Sequence, residues 1–201
     1  MGFNSVQSPG IQIKGFPISR RDLLRVGGAS ALPLLVGRPA WAQEAPERAN
    51  DFWLRPRRIR LKHASGEKID ALYWSDGEVV EEGYFAISHF MRDRVVNKGV
   101  YMHHTLLDIL YGVTGWLDYY GVATDIVFNS GYRDYLRNLR IEGAVKDSLH
   151  TRGEASDIAI PGINTLQIAK FGMWLGGGGV GWYPSKGFIH MDRGRVRSWR
   201  G

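Results

Sequence analysis

Ser148-Leu149-His150-Thr151-Arg152-Gly153-Glu154-Ala155-Ser156-Asp157-Ile158-Ala159-Ile160 places an acid inside an apolar strand. The segment from Ala155 to Ile160 is bounded by Pro161-Gly162 and reads as a short strand. Side chains two apart on a strand share a face, so Ala155, Asp157 and Ala159 lie on one side and Ser156, Ile158 and Ile160 on the other. A lone carboxylate there is costly unless something pairs with it. A second short strand, Gly187 to Asp192, puts Phe188, His190 and Asp192 on one side, opposite Ile189 and Met191. If the two strands pair, His190 meets Asp157 across the sheet at roughly 5 Å between Cβ atoms. The turn Thr151-Arg152-Gly153 can return His150 to the same place. Two readings follow: a hydrogen-bond network, or two imidazoles and one carboxylate holding a zinc ion with the fourth position left for water. His63, His89, His103 and His104 sit in segments with no such geometry and read as surface or capping residues.

The rest of the chain limits the choice. It has 201 residues, 44% of them hydrophobic and 12% aromatic, enough for one domain with a real core. It has no cysteine, which excludes disulfides, a thiolate metal site and a cysteine nucleophile. Any metal must therefore be held by histidines and carboxylates. The formal charge is +6, but Lys14, Arg20, Arg21, Arg25 and Arg38 against Asp22 place +4 of it in residues 1–42. The remainder carries only a small basic excess, so no nucleic-acid partner is expected.

That first segment looks like an export signal. Ser19-Arg20-Arg21-Asp22-Leu23-Leu24-Arg25 resembles the twin-arginine pattern read by the bacterial Tat machinery, and a mild apolar stretch, Val26 to Val36, follows it. Ala40-Trp41-Ala42 presents small residues for a signal peptidase. Cleavage is predicted after Ala42, giving a periplasmic protein that starts at Gln43. The apolar stretch falls short of the ~20 residues a span requires, so no stable membrane span is expected after cleavage. Residues 43–56 are polar, with two prolines, and read as a linker; the domain is expected over 57–201.

Within that domain, alternation over Arg58–Lys62 and Lys68–Trp74 predicts a hairpin, with a turn following at Ser75-Asp76-Gly77. Helices are predicted over Glu82–Arg92, Leu106–Tyr119 (with Tyr120 completing its apolar face), Tyr135–Glu142 and Thr165–Leu175, the last opened by a Thr cap. Ile126–Phe128 and Gly181–Tyr183 read as further strands, and Val196–Trp199 closes the domain after a turn at Arg193-Gly194. The glycine run Gly176–Gly179 lacks the Lys-Ser/Thr of a phosphate loop and reads as a lip or tight turn. No segment repeats. The mixed order predicts an α+β fold: one domain with a small antiparallel sheet carrying the metal site, flanked by helices.

Ser148-x-His150-x-x-Gly153-x-Ala155-x-Asp157 followed by His190-x-Asp192 resembles the zinc site of the D-alanyl-D-alanine peptidase superfamily, which includes lysostaphin-type enzymes and the hedgehog domain. More narrowly, Ser130-Gly131-Tyr132-Arg133, Asn138, Gly143-Ala144, Gly179 to Pro184 and Gly187 through Val196-Arg197-x-Trp199 resemble the YcbK-type periplasmic murein endopeptidases. The likeness runs from about Arg57 to Trp199. It implies a zinc ion on His150, Asp157 and His190. It also implies cleavage of peptidoglycan peptide cross-links, favouring the bond from D-Ala to meso-diaminopimelate. A cut between two diaminopimelate residues, a carboxypeptidase trim and a noncatalytic cell-wall-binding or zinc-stabilised module are the alternatives. In the carboxypeptidase branch a catalytic acid lies three residues before the second His ligand; here that position is Gly187. Asp192 is the substitute expected as general base, its alternative role being to orient a His ring. Arg133 is expected to contact a substrate carboxylate or the developing oxyanion. Ser148 is expected to bind substrate or cap its turn. Trp182, Tyr183 and Trp199 are expected to line a substrate groove or to belong to the core.

Overall fold

A computed structural model describes residues 52–119, 125–141 and 145–201. The expected export signal, most of the expected linker, Tyr120 and Gly143-Ala144 lie outside these residues. Strand β1 (Arg57–His63) and β2 (Lys68–Ser75) form the expected antiparallel hairpin, and β3 (Glu78–Val79) extends it. Helix α1 (Glu81–Phe90) and α2 (His104–Tyr119) come next, then β4 (Ile126–Ser130) and the single-turn α3 (Tyr135–Asn138). A 3-10 turn over Leu149–Arg152 leads into β5 (Ala155–Ala159), and α4 (Thr165–Leu175) follows it. The chain ends with β6 (Gly179–Tyr183), a 3-10 turn (Pro184–Lys186), β7 (Phe188–Asp192) and β8 (Arg197–Arg200).

Among the described residues, eight strands join one mixed sheet in the order β3-β2-β1-β4-β5-β7-β6-β8. The fold is α+β as expected, but the sheet is larger than the small antiparallel one. The reason is β4, which pairs parallel with β1 and antiparallel with β5, fusing the N-terminal hairpin to the C-terminal strands. A second parallel pair, β6 with β8, finishes the far edge. Parallel neighbours need long crossovers, so no local pattern announces them.

Alternation decides which face of the sheet each residue serves. Ile59, Leu61, Ile126, Phe128, Ile158, Ile189 and Met191 are buried in one continuous core with Leu106, Leu107, Leu110 and Ile168 from α2 and α4. Gly172 of α4 lies directly against the Met191 side chain, so α4 covers that face. Their strand neighbours Asp157 and His190 consequently look out from the opposite face. The folded unit also begins before residue 57. Phe52 is buried, stacks on Tyr111 with centroids 4.9 Å apart, and accepts a hydrogen bond from the Tyr111 hydroxyl through its carbonyl.

Helices α1 and α2 shift by one or two residues at their ends, and the cap of α4 and the length of α3 differ more. Asn164 caps α4, accepting from Leu166 N–H at 2.8 Å, while the Thr165 hydroxyl accepts from the Trp182 indole. Helix α3 stops at Asn138 instead of reaching Glu142, because its apolar residues Tyr135 and Leu136 are exposed and bury nothing that would extend it.

Candidate metal centre

β5 and β7 pair antiparallel with Asp157 directly opposite His190. His150 arrives from the 3-10 turn just before β5. The Ser148 side chain caps that turn by accepting from His150 N–H, and Gly153 ends it in the left-handed region at φ 70°. A side chain at Gly153 would also collide with Val100 and the Tyr101 carbonyl. Among the described residues, His150, Asp157 and His190 are the one group whose donor atoms could hold a metal ion, all lying within 4.8 Å of one another.

The hydrogen bonds behind the two imidazoles fix which nitrogens face inward. His150 Nδ1 lies 2.7 Å from the Gly131 carbonyl, which can only accept, so Nδ1 carries the hydrogen and Nε2 presents its lone pair. His190 Nε2 lies 3.1 Å from Asp192 Oδ2, so Nε2 donates and Nδ1 turns its lone pair to the cluster. His150 Nε2 and His190 Nδ1 are 3.1 Å apart; Asp157 Oδ1 is 3.4 Å from the first and 2.9 Å from the second. Three acceptors thus converge. A shared proton can satisfy one pair, whereas a cation satisfies all three at once. Their spacing is close to the ~3.3 Å edge of a tetrahedron with bonds of about 2.05 Å, which are zinc distances to nitrogen and oxygen. The donor set fits a divalent ion of this kind.

Electrostatics agree with the geometry. Burial works against a charge on Asp157, yet the two imidazoles facing it outweigh burial and hold its carboxyl well below the usual carboxylate range. Burial also disfavours a charge on His190, yet Asp157 and Asp192 on either side lift its pKa above the ordinary value. The site draws positive charge.

Asp192 stands behind His190, on the side away from His150 and Asp157. Its side chain is fully shielded from solvent, and both oxygens are engaged. Oδ1 accepts from Gly179 N–H at 3.1 Å, Gly194 N–H at 2.7 Å and Arg197 at 3.1 Å, while Oδ2 accepts from Arg197 at 2.8 Å and from His190. Burial opposes its ionisation, but His190, Arg197 and the Gly194 amide keep its carboxyl well below the usual range. The glycine run serves this clamp: a Cβ at Gly179 would collide with the Arg197 guanidinium and Asp192. The geometry of Asp192 is that of a ring-orienting acceptor and departs from the expected general base, which needs an oxygen facing the metal. At Gly187, φ is 70° and no side chain is available.

The cluster opens into a cleft of about 480 Å³. Arg133, Ser148, Tyr183 and Trp199 line it, as expected. Trp182 does not: strand alternation turns it to the other face, where it packs against the core and donates to Thr165. Trp199 lies 5.3 Å from the His190 ring and donates to the Tyr183 hydroxyl at 3.0 Å. Arg133 is mostly buried, which draws its guanidinium pKa below the ordinary value. It reaches Ser130 Oγ and Asn138 Oδ1, each at 3.2 Å, and stands 3.6 Å from Asp157 Oδ2. Residues given no role from sequence also appear. Arg197 clamps Asp192, and Lys186, Asp147, Ile141 and Val145 line the cleft. For Arg197 the signals were its place in the run Val196-Arg197-x-Trp199 and its proximity to Asp192 in the chain.

A mixed sheet that presents two histidines and an aspartate at the floor of an open cleft is the arrangement of a metal-dependent hydrolase. The chain belongs to the Peptidase_M15_2 family, described as peptidoglycan L,D-endopeptidase MepK, which matches residues 53–199. The peptidoglycan L,D-endopeptidase MepK of Escherichia coli strain K12 is 33% identical over 189 residues, covering 92% of this chain and 98% of the relative. The protein of that name from Shigella flexneri matches equally well. A probable peptidoglycan L,D-endopeptidase MepK of Haemophilus influenzae is 30% identical over 117 residues, 57% of this chain and 63% of the relative. No solved structure matches the chain.

Proposed function

We propose that this chain is an exported zinc endopeptidase that hydrolyses peptide cross-links of peptidoglycan. The observation that carries the reading is the convergence of three metal-ligand lone pairs at the floor of an open cleft. A zinc ion on His150, Asp157 and His190 would act as Lewis acid and activate water at neutral pH. The chain's own residues supply the rest. Gly131 and Asp192 hold the two imidazoles in the ligating tautomer. Arg133 keeps Asp157 Oδ2 engaged from behind and offers positive charge to a substrate carboxylate or the developing oxyanion. The Tyr183 hydroxyl accepts from Trp199, which leaves its hydrogen free to donate to a substrate carbonyl. Ser148 caps the His150 turn and borders the cleft. Asp192 orients His190 and takes no part in proton transfer.

The relatives carry an L,D specificity in their names. We therefore infer that the bond cut runs from the L-centre carbonyl of one diaminopimelate to the D-centre amine of another. This replaces the D-Ala to diaminopimelate bond favoured from sequence. A zinc-stabilised structural module would need no open cleft, and a binding module would need no metal-ligand lone pairs converging at its floor. The substrate lies outside the cytoplasm, and the twin-arginine motif at Ser19–Arg25 supports Tat export to the periplasm; N-terminal sequencing of the exported protein should begin near Gln43. Digestion of purified sacculi, with and without chelator, tests the enzyme reading. Muropeptide chromatography should show loss of dimers joined through two diaminopimelates, only without chelator. Unchanged dimers with zinc present would refute it.

A further inference from the structure

Two buried polar side chains outside the metal centre have no part in the chemistry above. Asp93 and Asn138 are each 1% exposed, and both bond to the turn that carries Arg133. Three successive backbone amides of that turn are tied down: Tyr132 N–H to the Met91 carbonyl at 2.9 Å, Arg133 N–H to the His150 carbonyl at 3.0 Å, and Asp134 N–H to Asp93 Oδ2 at 3.0 Å. Asp93 Oδ1 also accepts from Val95 N–H at 3.0 Å and from Arg137 at 2.9 Å. It therefore grips both ends of α3, a helix too short to hold itself. Asp134 caps α3 and pairs with Lys98 at 3.1 Å. Asn138, at the other end of α3, spends its side chain in two directions. Its Oδ1 accepts from Arg133 Nη1 at 3.2 Å, and its Nδ2 donates to the Val145 carbonyl at 2.9 Å. Val145 belongs to the cleft wall.

We propose that Asp93 and Asn138 are positioning residues that brace Arg133 and tie it to the cleft wall at Val145. The physical need is clear. An arginine side chain has several rotatable bonds, and a guanidinium that must meet a developing charge gains most when its geometry is fixed in advance. Asp157 at 3.6 Å is too distant to fix it alone, and Ser130 supplies one neutral contact. Asn138 fixes the second terminal nitrogen, and Asp93 fixes the helix that presents Asn138. The inference rests on the reading that Arg133 serves the substrate.

The test is a double-mutant cycle of Arg133→Ala and Asn138→Leu, with kcat and KM measured on a purified muropeptide dimer joined through two diaminopimelates. Bound zinc and melting temperature are measured alongside. Arg133→Ala should lower kcat/KM by ~100-fold, and Asn138→Leu by ~10-fold, the scale of losing or misplacing one charge-assisted hydrogen bond. Both should move the same parameter, kcat or KM, with one zinc retained. In the Arg133→Ala background, Asn138→Leu should cost less than about twofold, because nothing remains to be positioned. Should Asn138→Leu fail to fold, Asp93→Asn takes its place in the cycle with the same expected non-additivity. An equal cost in both backgrounds would overturn the brace and leave the role of Arg133 standing. No loss in Arg133→Ala alone would overturn both.

Discussion

Two polar networks flank β1 and β7, and they are built on opposite rules. Near β1, Asp108 accepts from Arg57 at 2.7 Å and from the Tyr73 hydroxyl at 2.8 Å, and the Arg57 guanidinium stacks over Trp74 at 4.0 Å. Each acceptor there faces a donor. Near β7, three acceptors face one another, while the donors of both rings are turned away to Gly131 and Asp192. A network whose acceptors are all met by donors holds elements together and asks for no cation. A network whose lone pairs all point to one spot is complete only with a cation. The same rule separates the carboxylates of β5 and β7: Asp192 is satisfied by protein donors, and Asp157 is directed at the cluster.

This contrast can be broken from either side. The largest effect is expected at the unsatisfied network. His190→Ala or Asp157→Ala should lower turnover on cross-linked muropeptides by ~1000-fold or more and abolish stoichiometric zinc, since the Lewis acid supplies several kcal/mol. Next comes Asp192→Asn. It should weaken zinc binding by about 10- to 100-fold, as expected for a partner that orients a ligand ring, and excess zinc should restore turnover. Lost turnover at full zinc occupancy would return Asp192 to the role of general base. At the network near β1, Tyr73→Phe should cost ~1 kcal/mol of stability, seen in denaturant unfolding, and leave kcat unchanged.

The smallest effect concerns pH. Burial opposes a charge on Asp93, but the Asp134 amide, Arg137 and the Val95 amide outweigh it and hold its carboxyl below the usual value. Its folded form therefore favours the charged state. The stabilisation is present above the ordinary carboxylate pKa of about 3.9 and is lost as pH falls through the lower folded value. Asp93→Asn should melt below the parent protein at pH 7, and the gap should narrow at pH 3. A gap that does not change with pH would mean that the charge of Asp93 contributes nothing.

Much of the centre was legible because strand period and turn chemistry are local. Alternation alone put Asp157 and His190 on faces that could meet, and Gly153 marked the turn that returns His150. What lay beyond reach was long-range or rotameric. The parallel β1–β4 pairing, which turns a small sheet into one of eight strands, joins segments that share no local signal. Asp192 sat on the correct strand face, yet which ring nitrogen it meets depends on the His190 rotamer and on Arg197, and neither is encoded by spacing. Trp182 was grouped with Tyr183 as aromatic, although consecutive strand residues point to opposite faces. The brace of Asp93 and Asn138 spans three chain segments, and a sequence pattern gives no reason to link Asp93 to Arg133.

The central claim is that the His150, Asp157 and His190 lone pairs require a cation. Calorimetric zinc titration of the mature, metal-stripped protein tests it most directly. The expected result is one zinc ion per chain in the wild type, with a rise in melting temperature on binding, and no such site in His190→Ala. A wild-type protein that binds no zinc or other divalent ion at this position, yet cleaves muropeptide dimers at full rate, would contradict it.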